Sequence, residues 1–267
     1  MKEILCFALK VCIICSCCLS SLATNAQVIK NDDIIVNQWA SDSLQIDGEL
    51  GDWGDSLKYY NENTRFSFNL RNNNEMIYLA INSQDKQNLN RILARGISFS
   101  INTEGKKKPG ATVIFPLVVR TSQPKKPIKP RQDNKEVQEQ ILTRIQQIFV
   151  TGFPEILDGP ISLKNTYGIS ASAGFDTLGN LTMEVAIPFS LLGITPEQNL
   201  IACLIEINGI KAPRAAYDPY RDERNRRNRM YGYPSRDYGY DRQPGINKQN
   251  LSTGFWIKST LAKNLNN

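Results

Sequence analysis

Ile46-Asp47-Gly48-Glu49-Leu50-Gly51-Asp52-Trp53 is the stretch on which the fold reading turns. An Asp-Gly pair marks a tight turn. The Asp side chain accepts hydrogen bonds from backbone amides just ahead of it, and Gly takes positive φ without steric cost. The expectation is a strand up to Ile46, a turn at Asp47 and Gly48, and Trp53 folding its ring back over the strand just left. A ring of that size is then a large apolar plug at the mouth of a β-sandwich.

Outward from this turn the chain reads as strands. Ile34-Ile35-Val36, with Trp39 and Leu44, gives one or two strands before it. Phe66-Ser67-Phe68-Asn69-Leu70 alternates with period two, Asn72-Asn73-Asn74 is a turn, and Met76 to Ile81 is apolar on both faces, as a central strand is. Asp85 follows directly. Gly96 to Asn102 alternates again, a lysine-rich turn at 104–110 breaks it, and Val113-Ile114-Phe115-Pro116 resumes. Pro116 cannot donate to a ladder, so it is expected to end the pairing or sit at an edge. Two further strands, Tyr167 to Ala173 and Leu181 to Ile187, flank the turn at 176–180; 200–208 and Phe255-Trp256-Ile257-Lys258 are the last two. Pro188 stops its strand, and a single helical turn runs to Gly193.

One helix is expected. Asp133-Asn134-Lys135-Glu136 looks like a capping box, and Val137, Ile141, Leu142, Ile145, Ile148 and Phe149 follow at helical spacing, which predicts an amphipathic helix over 135–149 packed across the sandwich. Residues 122–132, rich in Pro and Lys, read as an exposed loop, and 211–250, rich in Arg and Tyr, as a long mobile insertion without core periodicity.

The Ile-Asp-Gly, acid, Trp passage resembles the opening signature of family 9 carbohydrate-binding modules and the related DOMON-like sandwiches. Glu184-Val185-Ala186-Ile187-Pro188, followed by a short helix to Gly193, resembles their Glu-x-x-Ile-Pro passage, and Phe255-Trp256 their aromatic closing strand. The strand, lysine-rich turn and strand ending in Phe-Pro looks like a subgroup of exported DOMON-like proteins of Bacteroidetes-type bacteria. The resemblance implies an all-β, antiparallel β-sandwich over 27–267. It also implies that Trp53 is architectural, with Asp47, Gly48 and Pro188 as structural members of the signatures. The Tyr78-Leu79 order is reversed against the family pattern, and the second ligand-sandwiching Trp of the sugar binders is missing. Haem, which DOMON relatives can hold, would need ligands other than His.

Residues 1–26 carry the parts of a secretory leader: Lys2, a short apolar core, and small residues ending at Ala26. Cleavage is expected after Ala26, for a destination in the periplasm, at the cell surface or outside the cell. Cleavage before Cys17 would instead leave a lipid-anchored protein. Five of the six cysteines lie in this leader, so Cys203 remains alone, in an apolar strand that reads as core. No membrane-spanning helix is expected in the mature chain.

The chain has no histidine, which excludes serine–histidine and cysteine–histidine catalysis and removes the commonest zinc ligand. An enzyme would rely on carboxylates, and Asp47, Asp85, Asp158 and Glu184 are the candidates for a glycoside hydrolase; their spacing selects no pair. A non-enzymatic module is the favoured reading, with no cofactor. Calcium at the acidic 42–55 turn is the one metal considered, against a merely solvated turn.

A sugar site needs flat aromatics and hydrogen-bonding side chains. Trp39, Tyr59, Tyr60 and Trp256 are the candidates for stacking. Charge divides unevenly. Residues 106–136 hold nine basic and two acidic groups and 211–250 hold ten and five, a net plus twelve between them. The leader holds plus one of the chain's plus six, so the rest of the mature chain is about minus seven. The partner is therefore expected to be a glycan or an envelope component. A structural role docking an acidic partner through the basic loops is the alternative. Nucleic acid is not expected.

Overall fold

The structure is a computed structural model that describes residues 26–40, 44–54, 56–118, 134–195, 198–209 and 251–264. Residues 1–25 of the leader, the Pro/Lys-rich loop at 122–132 and all of the Arg/Tyr-rich insertion at 211–250 lie outside those residues.

The strands are β1 (Gln27–Val28), β2 (Ile34–Val36), β3 (Gln38–Trp39), β4 (Tyr59–Asn61), β5 (Phe66–Asn72), β6 (Met76–Ser83), β7 (Ile97–Asn102) and β8 (Ala111–Val118). They continue with β9 (Ile145–Thr151), β10 (Gly159–Ser162), β11 (Ser170–Phe175), β12 (Leu181–Pro188), β13 (Leu200–Ile207) and β14 (Thr253–Thr260). The helices are α1 (Lys86–Arg95), α2 (Asn134–Leu142) and the single turn α3 (Phe189–Leu192). The first sheet runs β1-β4-β5-β6-β12-β11, with β3 also paired to β5; the second runs β10-β9-β8-β7-β13-β14-β2. The pairings are antiparallel except at β1, β2 and β3, which join parallel at the sheet edges. The expected antiparallel β-sandwich is the observed fold.

The alternating residues meet in one core. Phe66, Phe68 and Leu70 of β5 and Ile77, Leu79 and Ile81 of β6 are fully buried, as are Phe99 and Ile101 of β7 and Ile201, Cys203 and Ile205 of β13. Phe68 meets Phe255 of the opposite sheet with ring centroids 5.2 Å apart. Burial pushes the Cys203 thiol well above its ordinary range, which makes it inert. The chain changes sheets between β2 and β3, and a buried amide network fixes the crossing. The Asn37 side-chain amide donates to Asn72 at 3.1 Å and its carbonyl accepts from the Ser259 hydroxyl, while Asn72 also holds Ala262.

Three expectations need correction. The helix predicted over 135–149 ends at Leu142, and Ile145–Thr151 is strand β9. The β8–β9 ladder shifts register between Ile114, Leu117 and Val118, so Ile145 and Ile148, three residues apart, both reach the core. A bulged strand thus mimicked helical spacing. Pro116 does not end β8: it sits within that register shift, where no ladder donor is required. Helix α1 was not expected. Asp85 is its N-cap, accepting from Gln87 N–H at 2.8 Å, and Gly96 ends it at φ +74° with its N–H on Ile92 O.

Candidate functional site

β6 is apolar on both faces because both faces are covered. Its inward residues meet the second sheet, while Tyr78 and Ala80 on the outer face pack with Trp53, Leu57, Ala40 and Ala186. The covering segment is the signature stretch and its flanks, residues 44–54 and 56–58, lying as a strap over the outside of the first sheet. Residues 44–46, directly before the turn at Asp47, are not a strand, and Trp53, in the 3-10 turn Gly51–Trp53, plugs the outer face of the sheet and not the mouth of the sandwich. Its ring is 2% exposed, in keeping with an architectural role.

Glu184 holds the strap down. It stands on β12 between Ala80 and Ser172, is fully buried, and accepts from three donors. Oε2 takes the backbone N–H groups of Asp47 (3.0 Å) and Gly48 (2.6 Å), and Oε1 takes the Trp53 indole N–H (2.6 Å). Desolvation raises its pKa, and the donors from Trp53, Gly48 and Asp47 only partly offset that. The Thr182 hydroxyl adds a bond to Gly48 O at 2.6 Å. Arg71 closes the far end: its guanidinium lies 4.9 Å from the Trp53 ring centre and donates to Asp52 O and Trp53 O.

The turn itself is built as the sequence predicts. Asp47 Oδ1 accepts from Glu49 N–H at 2.8 Å, and Gly48 has φ +93°. Asp47→Ala is expected to cost about 1 kcal/mol, by analogy with other side-chain caps. Thermal unfolding reads this directly, and an unchanged midpoint would remove the cap from the list of stabilising contacts.

Beside the strap is a cleft of about 690 Å³. It is bounded by Gly48–Gly51 of the strap, by Ser67, Asn82 and Thr182 on β5, β6 and β12, and by Phe175–Thr177 at the β11–β12 turn. Its lining includes hydroxyls, amides and carboxylates together with Leu50, Leu57 and Phe175, and among the described residues it contains no lysine or arginine. Asp176 organises the turn. Burial works against its ionisation, but hydrogen bonds from Asn82, Asn180 and Leu178 outweigh that and hold its pKa below the ordinary range. A folded value below the unfolded one means stability present above the ordinary Asp range and lost as pH falls through the folded value. The stability gap between the parent and Asp176→Asn should therefore narrow as pH is lowered through that window. A gap independent of pH would contradict the assignment.

The aromatic candidates do not gather on one platform. Tyr59 is a correction: it is 2% exposed, its ring lies 5.6 Å from Phe68, and its hydroxyl donates to Val36 O, so it belongs to the core. Tyr60, next in the alternation, is half-buried on the outer side of the first sheet. Trp256 is half-buried on the outer side of the second, opposite Leu204. Trp39 is half-buried where the chain passes between sheets. Tyr60 and Trp256, on opposite outer faces, cannot clamp one sugar ring between them.

The four candidate catalytic carboxylates are all engaged in structure. Asp85 caps α1, Asp158 accepts from Thr151 (2.7 Å) and Gly152 (2.9 Å), and Asp47 caps its own turn. Glu184 lies beside Asp47, but it is buried beneath the strap, out of reach of a glycosidic bond. Among the described residues no group of three or more acidic or cysteine side chains could hold a metal ion; Asp42 and Asp55 of the acidic turn lie outside them. Also among the described residues, no helix is long and apolar enough to cross a membrane.

Sequence reasoning placed Glu184 in a strand signature and among the candidate catalytic carboxylates, but not as the anchor of the Asp-Gly turn. The signal was present: one acid in the otherwise uncharged run Leu181–Pro188. A buried acid needs donors, and the turn with free amides is such a partner.

No family model matches the chain, and no curated protein matches it. Among solved structures the chain is similar to a family 9 carbohydrate-binding module from Caldicellulosiruptor kristjanssonii in complex with glucose. The identity is 9% and the TM-score 0.37, over 88% of this chain and 100% of that one.

Proposed function

We propose that this chain is an exported, non-enzymatic glycan-binding or accessory module of the bacterial cell envelope, and that the cleft beside the strap takes the glycan. The cleft is the observation that carries the reading. Hydroxyl, amide and carboxylate groups answer sugar hydroxyls, while the apolar side chains among them answer the faces of the ring. The structural employment of all four candidate carboxylates supports binding without hydrolysis. Among the described residues the lining carries no basic side chain and includes Glu49 and Asp176, which favours neutral sugars over acidic ones.

A glycan array on the mature protein tests this. Saturable binding of neutral glycans that survives added salt is the expected result. Binding confined to acidic polymers and lost at modest salt would favour docking through the basic stretches, since exposed ion pairs screen out within about 8 Å at physiological ionic strength. In the described part of those stretches, Lys106 already pairs with Glu104 and Lys107 with Asp32.

A further inference from the structure

We infer that Gln27 is a modification site: once the leader is removed after Ala26, the new amino-terminal glutamine closes to pyroglutamate. The inference rests on the export reading and adds a chemical fate to it. Among the described residues, the pairing of the sandwich begins at Gln27. Its N–H donates to Lys58 O at 2.8 Å, Gln27 stands in register with Tyr59, and Ile29 N–H donates to Tyr60 O at 2.7 Å. Ala26, one residue earlier, is part of the cleft lining. The cut therefore falls directly before the first described ladder residue, and it frees an amine beside the place where Ala26 met the cleft.

Gln27 is exposed, and among the described residues its carboxamide has no hydrogen-bond partner, so the side chain is free to turn back on its own amine. The α-nitrogen attacks Cδ, a carbon–nitrogen bond closes a five-membered lactam, and the Cδ–Nε2 bond breaks. Nε2 leaves with the displaced proton as ammonia. The step needs no oxidant, reductant or second substrate. The lactam nitrogen keeps one N–H, which is the number Lys58 O accepts in the β1–β4 pairing. What is lost is the charge. A free α-amine, with an ordinary pKa of about 7.7–8.0, would carry a partial positive charge at neutral pH. Ring closure removes that charge from beside the cleft, whose described lining holds no lysine or arginine.

The test is intact mass and Edman sequencing of the full chain expressed in a host that exports it. The expected product begins at residue 27, is lighter by one ammonia than the unmodified chain, and resists Edman degradation until treated with pyroglutamyl aminopeptidase. A Gln27→Ala variant cut at the same bond should show its full mass and sequence directly. A parent chain that begins at Gln27 with a free amine overturns the inference and leaves the export reading standing. A start at another bond, including Cys17, overturns the inference and leaves export by a different cut, and an uncleaved leader overturns both.

Discussion

Glu184→Ala is expected to lower the unfolding midpoint by about 10 °C or more. The substitution strips the acceptor from two backbone amides and one indole N–H that are bound at 2.6 to 3.0 Å beneath the strap. A buried donor left without an acceptor costs roughly 1–3 kcal/mol. Three of them amount to several kcal/mol, and a domain of this size loses about 2–4 °C for each. The burial of Trp53 against Tyr78, Ala80 and Ala186 is weakened at the same time, because its indole N–H is what sets the ring's position. Glu184→Gln should fall between the two. Its amide offers one oxygen and one NH2 group, so it can serve the indole or the backbone pair, but not both. A Glu184→Ala midpoint within about 2 °C of the parent, equivalent to less than about 1 kcal/mol, would show that the carboxylate is not what holds the strap.

Gly48→Val should be almost as damaging, for a different reason. Gly48 has φ +93°, which a β-branched residue resists. A Cβ added there would lie 2.7 Å from the backbone carbonyl carbon of Ala173 and 2.8 Å from its oxygen. Those are strand atoms of β11, held in register with Met183, and they do not yield as a flexible side chain would. Strain at such a backbone position costs about 1–3 kcal/mol, and lifting the turn off β11 also lengthens its bonds to Glu184 and Thr182. A total of about 3–5 kcal/mol is expected, at the upper end of single-substitution effects. Gly48→Ala separates the two causes, since it meets the same contact without β-branching. Chemical denaturation of both variants should rank them parent, Ala, Val. A Gly48→Ala variant as stable as the parent would mean that the strap stands off β11 in solution.

These two positions mark what the sequence makes legible. The Asp-Gly turn and the alternating runs at 66–70 and 97–102 each carry a local signature, and each lies where that signature predicts, whereas the Trp beyond the turn is buried as expected but on the outer face of the sheet. Met76 to Ile81 was readable as a central strand, but not what covered its outer face, because that depends on a segment brought back from elsewhere in the chain. Glu184 is 137 residues from Asp47, and nothing within its own strand names its partners. Its role follows only from placing two signatures side by side. The failure at 145–149 has a local cause: a bulge makes a strand bury residues three apart, which is also what a helix does. Tyr59 and Tyr60 show the limit for the site. Adjacent tyrosines on one strand must face opposite ways, and the one that stacks on Phe68 is in the core.

The most direct test of the cleft as a glycan site is calorimetric titration of the best neutral glycan into two variants. Thr177→Trp changes an exposed turn residue that lines the cleft, and its indole would fill space the ligand needs. Trp256→Ala removes the half-buried ring on the outer side of the second sheet. The predicted result is that Thr177→Trp melts with the parent and loses binding at least tenfold, while Trp256→Ala binds as the parent does. Parent-like binding by Thr177→Trp, with binding lost in Trp256→Ala, would contradict the cleft and move the site to the opposite face of the sandwich.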